Sequence, residues 1–136
     1  KVMAEVSFDD VIATGTVLQN LRTSKLQNSM DMTRDGYHMD YGIARYAASC
    51  AVFEKLISPA FGSVTLDGNT FRYTTSNSTA GSYSTPVTDA NAPIALQAAR
   101  YALATPYAVT DMSDIDQEKP DNGIEDTEFD DDKNKE

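Results

Sequence analysis

A carboxylate and the only histidine of the chain lie three residues apart, at Asp35 and His38. In a turn, this spacing lets the carboxylate accept the Nδ1 hydrogen of the imidazole. Such a bond fixes the tautomer and leaves Nε2 free to take a proton from a hydroxyl nucleophile. Gly36 between them makes a tight turn sterically cheap. The pair is compatible with general-base chemistry, although the spacing by itself favours an ordinary surface or hydrogen-bonded histidine.

Composition argues against metal and nucleic-acid chemistry. One cysteine and one histidine cannot supply an ordinary structural zinc site. Of the net charge of −10, residues 111–136 carry −9 and the rest of the chain −1, so the body has no basic stripe for nucleic acid or an anionic membrane. No apolar run approaches the ~20 residues that a bilayer span needs. We expect no metal, no cofactor, no nucleic-acid partner and no membrane span.

An α/β framework is expected to position the pair. The apolar end of residues 6–13 predicts a buried strand. A turn then leads into a short helix that begins at Val17 and is capped by Thr16. Further along, residues 64–74 alternate between polar and apolar side chains around Gly68, which is typical of a β-hairpin.

Two longer helices are predicted from apolar residues that recur every three or four positions. The first covers residues 41–57, with Asp40 as its N-terminal cap and Pro59 just beyond its end. Cys50 lies on its apolar stripe, which favours a buried, unreactive side chain over a reactive thiol. The second helix covers residues 91–104.

The charge distribution also divides the chain into two parts. Residues 1–110 contain the predicted elements and form the body. Residues 111–136 combine few apolar side chains with twelve acidic and three basic ones. Such a segment cannot bury enough apolar surface to offset its ordering entropy, so it is expected to be a disordered acidic tail.

Residues 31–46, DMTRDGYHMDYGIARY, resemble the Asp-x-x-His block of the SGNH or GDSL-type serine hydrolases, a superfamily of esterases and lipases. The likeness is closer to one branch that has long been labelled only a domain of unknown function. It extends over roughly residues 5–110. The residues that carry it are Gly15-Thr16, Gln19-Asn20, Arg22-Thr23-Ser24, Thr33-Arg34-Asp35-Gly36-Tyr37-His38, Gly42, Arg45-Tyr46, Phe53-Glu54, the alanine-rich segment 94–104 and Pro106-Tyr107.

This resemblance implies the C-terminal part of a three-layer α/β/α, flavodoxin-like fold with a hairpin insertion. Asp35 and His38 would be the catalytic pair of a triad that hydrolyses an ester, such as an acyl group on a carbohydrate. The serine block of the superfamily and its oxyanion glycine and asparagine have no counterpart here, so the chain alone is expected to be inactive.

The missing N-terminal half would then be the partner, encoded by the same gene or carried on a separate chain. A secreted or periplasmic location is the working hypothesis. The alternative is a non-catalytic partial scaffold that serves as a packing or binding module. The sequence upstream of Lys1 would decide between them.

The same resemblance suggests further substrate-binding residues, although a polar helix face or an exposed loop explains them as well. For Arg45, pairing with a carboxylate beneath the motif is favoured over substrate binding. The candidate substrate-binding residues are Gln19, Asn20, Arg22, Arg34 and Tyr37.

Overall fold

The computed structural model describes residues 10–26, 32–72 and 85–115. Within these ranges the secondary structure is helical, and none of the helices is long and apolar enough to cross a membrane. The elements in chain order are α1 (Thr14–Thr23), α2 (Ile43–Val52), a π-helical turn (Phe53–Ile57), α3 (Ser58–Ala60) and α4 (Ala92–Ala104).

Helix α4 lies at the centre of the core and packs against both α1 and α2, which also contact each other. Its inward face is built from alanines, among them Ala95, Ala98 and Ala99, all fully buried. Small side chains at a helix contact permit a short distance between the helix axes. The larger side chains Leu21 of α1 and Ile43 of α2 are also fully buried in this core. The apolar stripes predicted from the sequence therefore meet one another.

The expected three-layer α/β/α, flavodoxin-like fold is wrong. The described residues form no strand, and their only β pairing is an isolated antiparallel bridge between Thr33 and Met39. Where the predicted strand reaches described residues, at 10–13, Ile12 packs directly against the helical core. A short apolar run indicates burial but not the kind of element, so helices satisfy it as well as a sheet does.

The predicted hairpin at residues 64–74 is likewise wrong where the structure describes it, up to residue 72. The turn itself forms: Gly68 has a φ of +69°, and the N–H of Asn69 donates to the carbonyl of Leu66. The flanking backbone is satisfied by side chains, because the N–H of Phe71 donates to Oδ1 of Asn69. The alternating polar and apolar residues correctly located a turn here, but the described backbone beside it forms no β-ladder.

The start of α1 differs from its predicted position, whereas α4 lies where it was predicted. Helix α1 begins earlier than predicted, at Thr14, and Thr16 does not cap it. The hydroxyl of Thr16 donates instead to the carbonyl of Pro106, 2.6 Å away. The helix predicted at residues 91–104 corresponds to α4. Before it, the N–H of Thr88 donates to Oδ1 of Asn91 (2.7 Å) and the N–H of Asn91 donates to Oγ1 of Thr88 (3.3 Å), a reciprocal cap.

The helix predicted at residues 41–57 does not stop before Pro59. After α2 the chain widens into the π-helical turn, in which the N–H of Ser58 donates to the carbonyl of Phe53. Pro59 has no N–H and so interrupts the regular α-helical ladder. The helical path still continues through α3 and leaves it at Gly62, whose φ is +76°.

Cys50 is buried in the core, as predicted. Burial raises the pKa of its thiol to about 11. The thiolate is therefore negligible at neutral pH, and Cys50 acts as a small apolar side chain.

Met112 lies within the segment whose composition predicted a tail. Its side chain is fully buried, and its N–H donates to Oγ1 of Thr23 on α1 at 2.8 Å. The rest of the predicted tail, residues 116–136, lies outside the described residues.

Candidate active site

The loop of residues 32–40, here the DGYH loop, connects the region after α1 to the start of α2. Backbone hydrogen bonds close its base, including one from the N–H of Asp40 to the carbonyl of Met32 at 3.0 Å. At its tip Gly36 has a φ of +81°, a conformation that costs glycine little and other residues more. A closed base and a reversed tip hold the intervening side chains in one place.

Asp35 and His38 are in contact within this loop. Nδ1 of His38 lies 2.6 Å from Oδ2 of Asp35. The other carboxylate oxygen, Oδ1, accepts the backbone N–H of Tyr37 at 3.0 Å and that of His38 at 2.6 Å. The predicted contact is therefore confirmed, and the same carboxylate also forms the turn that presents the imidazole.

These bonds determine the charge of the pair. The hydrogen bond from the backbone N–H of His38, followed by that from its ring, holds the pKa of the Asp35 carboxyl well below its ordinary value. Nε of Arg34 lies 3.8 Å from the same Oδ2, a longer ion pair. Asp35 thus stays ionised at neutral pH and can stabilise a positive charge that develops on the imidazole.

The pair is open to solvent. The side chains of His38 and Asp35 are 55% and 45% exposed. Among the described residues, no hydroxyl or thiol is hydrogen-bonded to Nε2 of His38. Nor does this part of the chain contain a group of three His, Cys, Asp or Glu side chains arranged to hold a metal ion. The arrangement can orient and charge-stabilise an imidazole base, and nothing in these ranges supplies its nucleophile.

Asp40 joins the loop to α2. Its Oδ1 accepts the N–H of Gly42 at 2.8 Å and that of Ala44 at 3.1 Å, so its side chain binds the first turn of α2. The N-cap position itself is Gly42, because the helix starts at Ile43 rather than at the predicted residue 41. Burial raises the pKa of its carboxyl, and the N–H bonds oppose that shift. The end of the loop is therefore fixed to a rigid helix start.

The candidate substrate-binding residues on α1 lie apart from one another. Gln19 is exposed and Arg22 is half-buried. Asn20 is fully buried: its Nδ2 donates to the carbonyl of Ala98 at 3.2 Å, and its Oδ1 accepts the N–H of Thr110 at 2.8 Å. A side chain engaged in this way connects α1 to α4 and to the segment after it, so the suggested substrate role of Asn20 gives way to a structural one.

The candidates on the loop lie beside the pair. Tyr37 is exposed, and its ring meets that of His38 edge-on with centroids 4.9 Å apart. The guanidinium of Arg34 lies 4.4 Å from the centroid of the Tyr41 ring. Arg45 of α2 approaches the same ring at 4.3 Å and forms no ion pair with a carboxylate among the described residues, so the pairing expected for it is not found there. Sequence reasoning missed Tyr41, although an aromatic four residues before an arginine is a recognisable spacing.

Fold and site together define a helical unit that presents an exposed carboxylate–imidazole pair. The chain matches the model of a family described as a domain of unknown function (DUF4886) over residues 1–89, and it belongs to this family. The matched range includes the DGYH loop and stops short of α4. Comparisons with curated proteins and with solved structures gave no significant match.

Proposed function

We propose that this chain supplies the Asp–His part of a serine ester hydrolase related to the SGNH hydrolases. Asp35 orients the imidazole of His38 and stabilises the positive charge that develops on it. His38 takes the proton of a serine that lies outside the described residues.

The 2.6 Å bond between Nδ1 of His38 and Oδ2 of Asp35 carries this proposal. It selects the tautomer in which Nδ1 holds the hydrogen and Nε2 holds the lone pair. The depressed pKa of Asp35 keeps the carboxylate charged while the imidazole becomes positive. An oriented, charge-stabilised base at the surface is what a hydroxyl nucleophile requires.

The exposed surface around the pair is consistent with a further part of the protein that covers it and completes the site. Solvent reaches both members of the pair, whereas acyl transfer depends on donors in a water-excluded site. Large apolar side chains, among them Leu56, Phe61 and Val64, are also exposed. We expect the missing N-terminal half, from the same gene or a separate chain, to contribute the serine and the oxyanion donors. The substrate would be a small-molecule or carbohydrate ester.

A non-catalytic module is the alternative, and one observation favours it. The bonds of Asp35 close a turn within its own loop, so the carboxylate has a structural use without any reaction. In that case His38 would be an exposed side chain that happens to meet the turn. The two functions predict different effects on ester hydrolysis when the imidazole of His38 is removed.

The test compares His38→Ala with the wild-type product of the complete gene. Hydrolysis of p-nitrophenyl acetate is expected to fall more than about 10³-fold, because the serine loses its base. Labelling by a fluorophosphonate probe, which reports an activated serine, should fall with it.

Ser49→Ala, at an exposed position on α2, is the matched control and should retain both signals. A His38→Ala protein with unchanged hydrolysis and labelling would locate any esterase activity elsewhere and favour the non-catalytic module.

A further inference from the structure

Two arginines surround one aromatic ring beside the catalytic pair. The guanidinium of Arg34 lies 4.4 Å and that of Arg45 4.3 Å from the ring centroid of Tyr41. Stacking on an aromatic ring holds a guanidinium in a defined orientation while its N–H donors remain available at its edge. Arg45 is exposed and takes part in none of the ion pairs among the described residues.

Counted over Arg34, Arg45 and Asp35 alone, the side chains beside the imidazole carry one net positive charge. Arg34 shares Oδ2 of Asp35 with His38, since its Nε lies 3.8 Å and the imidazole Nδ1 2.6 Å from that oxygen. Asp35 thus pairs with Arg34, whereas Arg45 has no ion-pair partner among the described residues. Because this local excess adjoins the imidazole in a chain whose net charge is −10, it marks a specific place for an anion.

The position of Arg45 is unusual for a purely structural cation. It lies in the first turn of α2, which starts at Ile43. The N-terminal end of a helix has positive polarity, so a cation there is disfavoured. Asp40 has already satisfied two of the N–H groups at this end. Electrostatics within the helix thus does not account for Arg45, whereas an anionic ligand at this surface does.

We propose that Arg34 and Arg45 bind a carboxylate of the ester substrate while His38 acts at the scissile bond. This inference deepens the proposed function and rests on it for the ester. The planar guanidinium matches a carboxylate with two parallel hydrogen bonds. The cluster has an excess of one charge, which a carboxylate monoanion balances and a phosphate dianion exceeds. The favoured substrates are therefore acidic esters rather than neutral ones.

The kinetic test uses one acidic ester and its neutral counterpart, p-nitrophenyl hemisuccinate and p-nitrophenyl methyl succinate. The complete gene product should show a higher kcat/KM for the acidic ester. Arg45→Gln should lower the acidic-to-neutral ratio of kcat/KM by about tenfold to a hundredfold, the loss of charged hydrogen bonds. Arg45→Lys keeps the charge without the planar fork and should lower the ratio less.

Lys55→Gln is the matched control, because it removes the same charge from a side chain paired with Asp10 at 2.7 Å. Its ratio should equal that of the wild type. An unchanged ratio in Arg45→Gln, or an equal fall in Lys55→Gln, overturns the carboxylate site.

A binding experiment distinguishes failure of this inference from failure of the proposed function. His38→Ala is titrated with monomethyl succinate, a monoanion, while the Nε–Hε NMR signals of the arginines are followed. Saturable shifts in two of these signals support the site even if no ester is hydrolysed. One of the two shifting signals should be absent in His38→Ala/Arg34→Gln and the other in His38→Ala/Arg45→Gln. Equal shifts with dimethyl succinate, no shift with monomethyl succinate, or stronger binding of inorganic phosphate each overturn the carboxylate assignment.

Discussion

Two charged regions of this molecule use hydrogen bonds in opposite ways. In the DGYH loop, every protein donor to Asp35 comes from within three residues along the chain. The second region, the Arg100 network, consists of Glu54, Thr65, Asp67 and Arg100. There Nη2 of Arg100 donates to Oε1 of Glu54 at 2.9 Å, and Nη1 donates to Oδ1 of Asp67 at 2.7 Å. These partners lie 46 and 33 residues away in sequence.

The difference distinguishes a candidate site, the DGYH loop, from a structural network that connects secondary-structure elements, the Arg100 network. Arg100 directs its donors to the π-helical turn and to the turn around Gly68, so its charge holds α4 to both segments. The carboxylate of Asp35 instead fixes a ring whose second nitrogen faces no described hydroxyl or thiol. We therefore expect changes in the loop to affect the reaction rate and changes in the network to affect stability.

The largest expected effect is that of Asp35→Asn on the rate. The amide Oδ1 still accepts the two backbone N–H groups, so the turn survives. Its NH₂ group, in the place of Oδ2, then donates to Nδ1 of His38, so the hydrogen moves to Nε2 and the base loses its lone pair. Ester hydrolysis by the complete gene product should fall by up to about 10⁴-fold, with the urea unfolding midpoint nearly unchanged.

Asp67→Asn makes the same chemical change in the Arg100 network and is the matched control. It should leave the hydrolysis rate unchanged, because Asp67 contacts Arg100 and Thr65 rather than the imidazole. A similar rate for both Asn variants would remove the distinction between the two regions.

A smaller effect is expected when the network is cut. Arg100→Met keeps the aliphatic stem but leaves Glu54, whose side chain is only 17% exposed, without the two guanidinium bonds it accepts. The free energy of unfolding should fall by about 1–2 kcal/mol, measured by urea denaturation, with little change in hydrolysis rate.

Lys55→Met removes a single ion pair with the more exposed Asp10 and should change stability by less than about 0.5 kcal/mol. Equal losses in Arg100→Met and Lys55→Met would mean that the network adds nothing beyond one surface pair.

The smallest effect is on the pH dependence of stability. Hydrogen bonds from His38 lower the pKa of Asp35, and the hydrogen bond from Arg100 lowers that of Asp67. Because both folded-state pKa values lie below the unfolded value of about 3.9, the stabilisation is present above that pH and is lost as the pH falls through the folded values.

Carboxyl ¹³C NMR between pH 6 and pH 2 should give a titration midpoint of Asp67 below the ordinary value of 3.8, whereas Asp35 should stay ionised over most of this range. Arg100→Met should raise the midpoint of Asp67 and leave that of Asp35 in place. His38→Ala should raise the midpoint of Asp35 only in part, since the backbone N–H at position 38 still donates. A midpoint of Asp35 at 3.8 or above would contradict the geometry of the loop.

The features that the sequence predicted well are those with short-range causes. Periodic apolar residues located α2 and α4, and the side chain of Asp40 binds the start of α2, although the N-cap is Gly42 and not Asp40 as predicted. The Asp35–His38 contact was predictable because glycine and three-residue spacing confine both side chains to one turn. The positive φ of Gly68 follows from the same kind of local rule.

Tertiary structure decided the rest, since its causes lie far apart in the chain. Alternation at residues 64–72 predicted a ladder, but a strand needs a neighbouring strand, and side chains satisfy this backbone instead. A polar asparagine on α1 suggested a surface contact, yet Asn20 is buried because α4 and Thr110 supply partners for both ends of its amide. Neither partner is near Asn20 in sequence. Hence residue types and spacing determined the chemistry of the DGYH loop, while long-range packing determined whether the apolar segments form a sheet or a helical core.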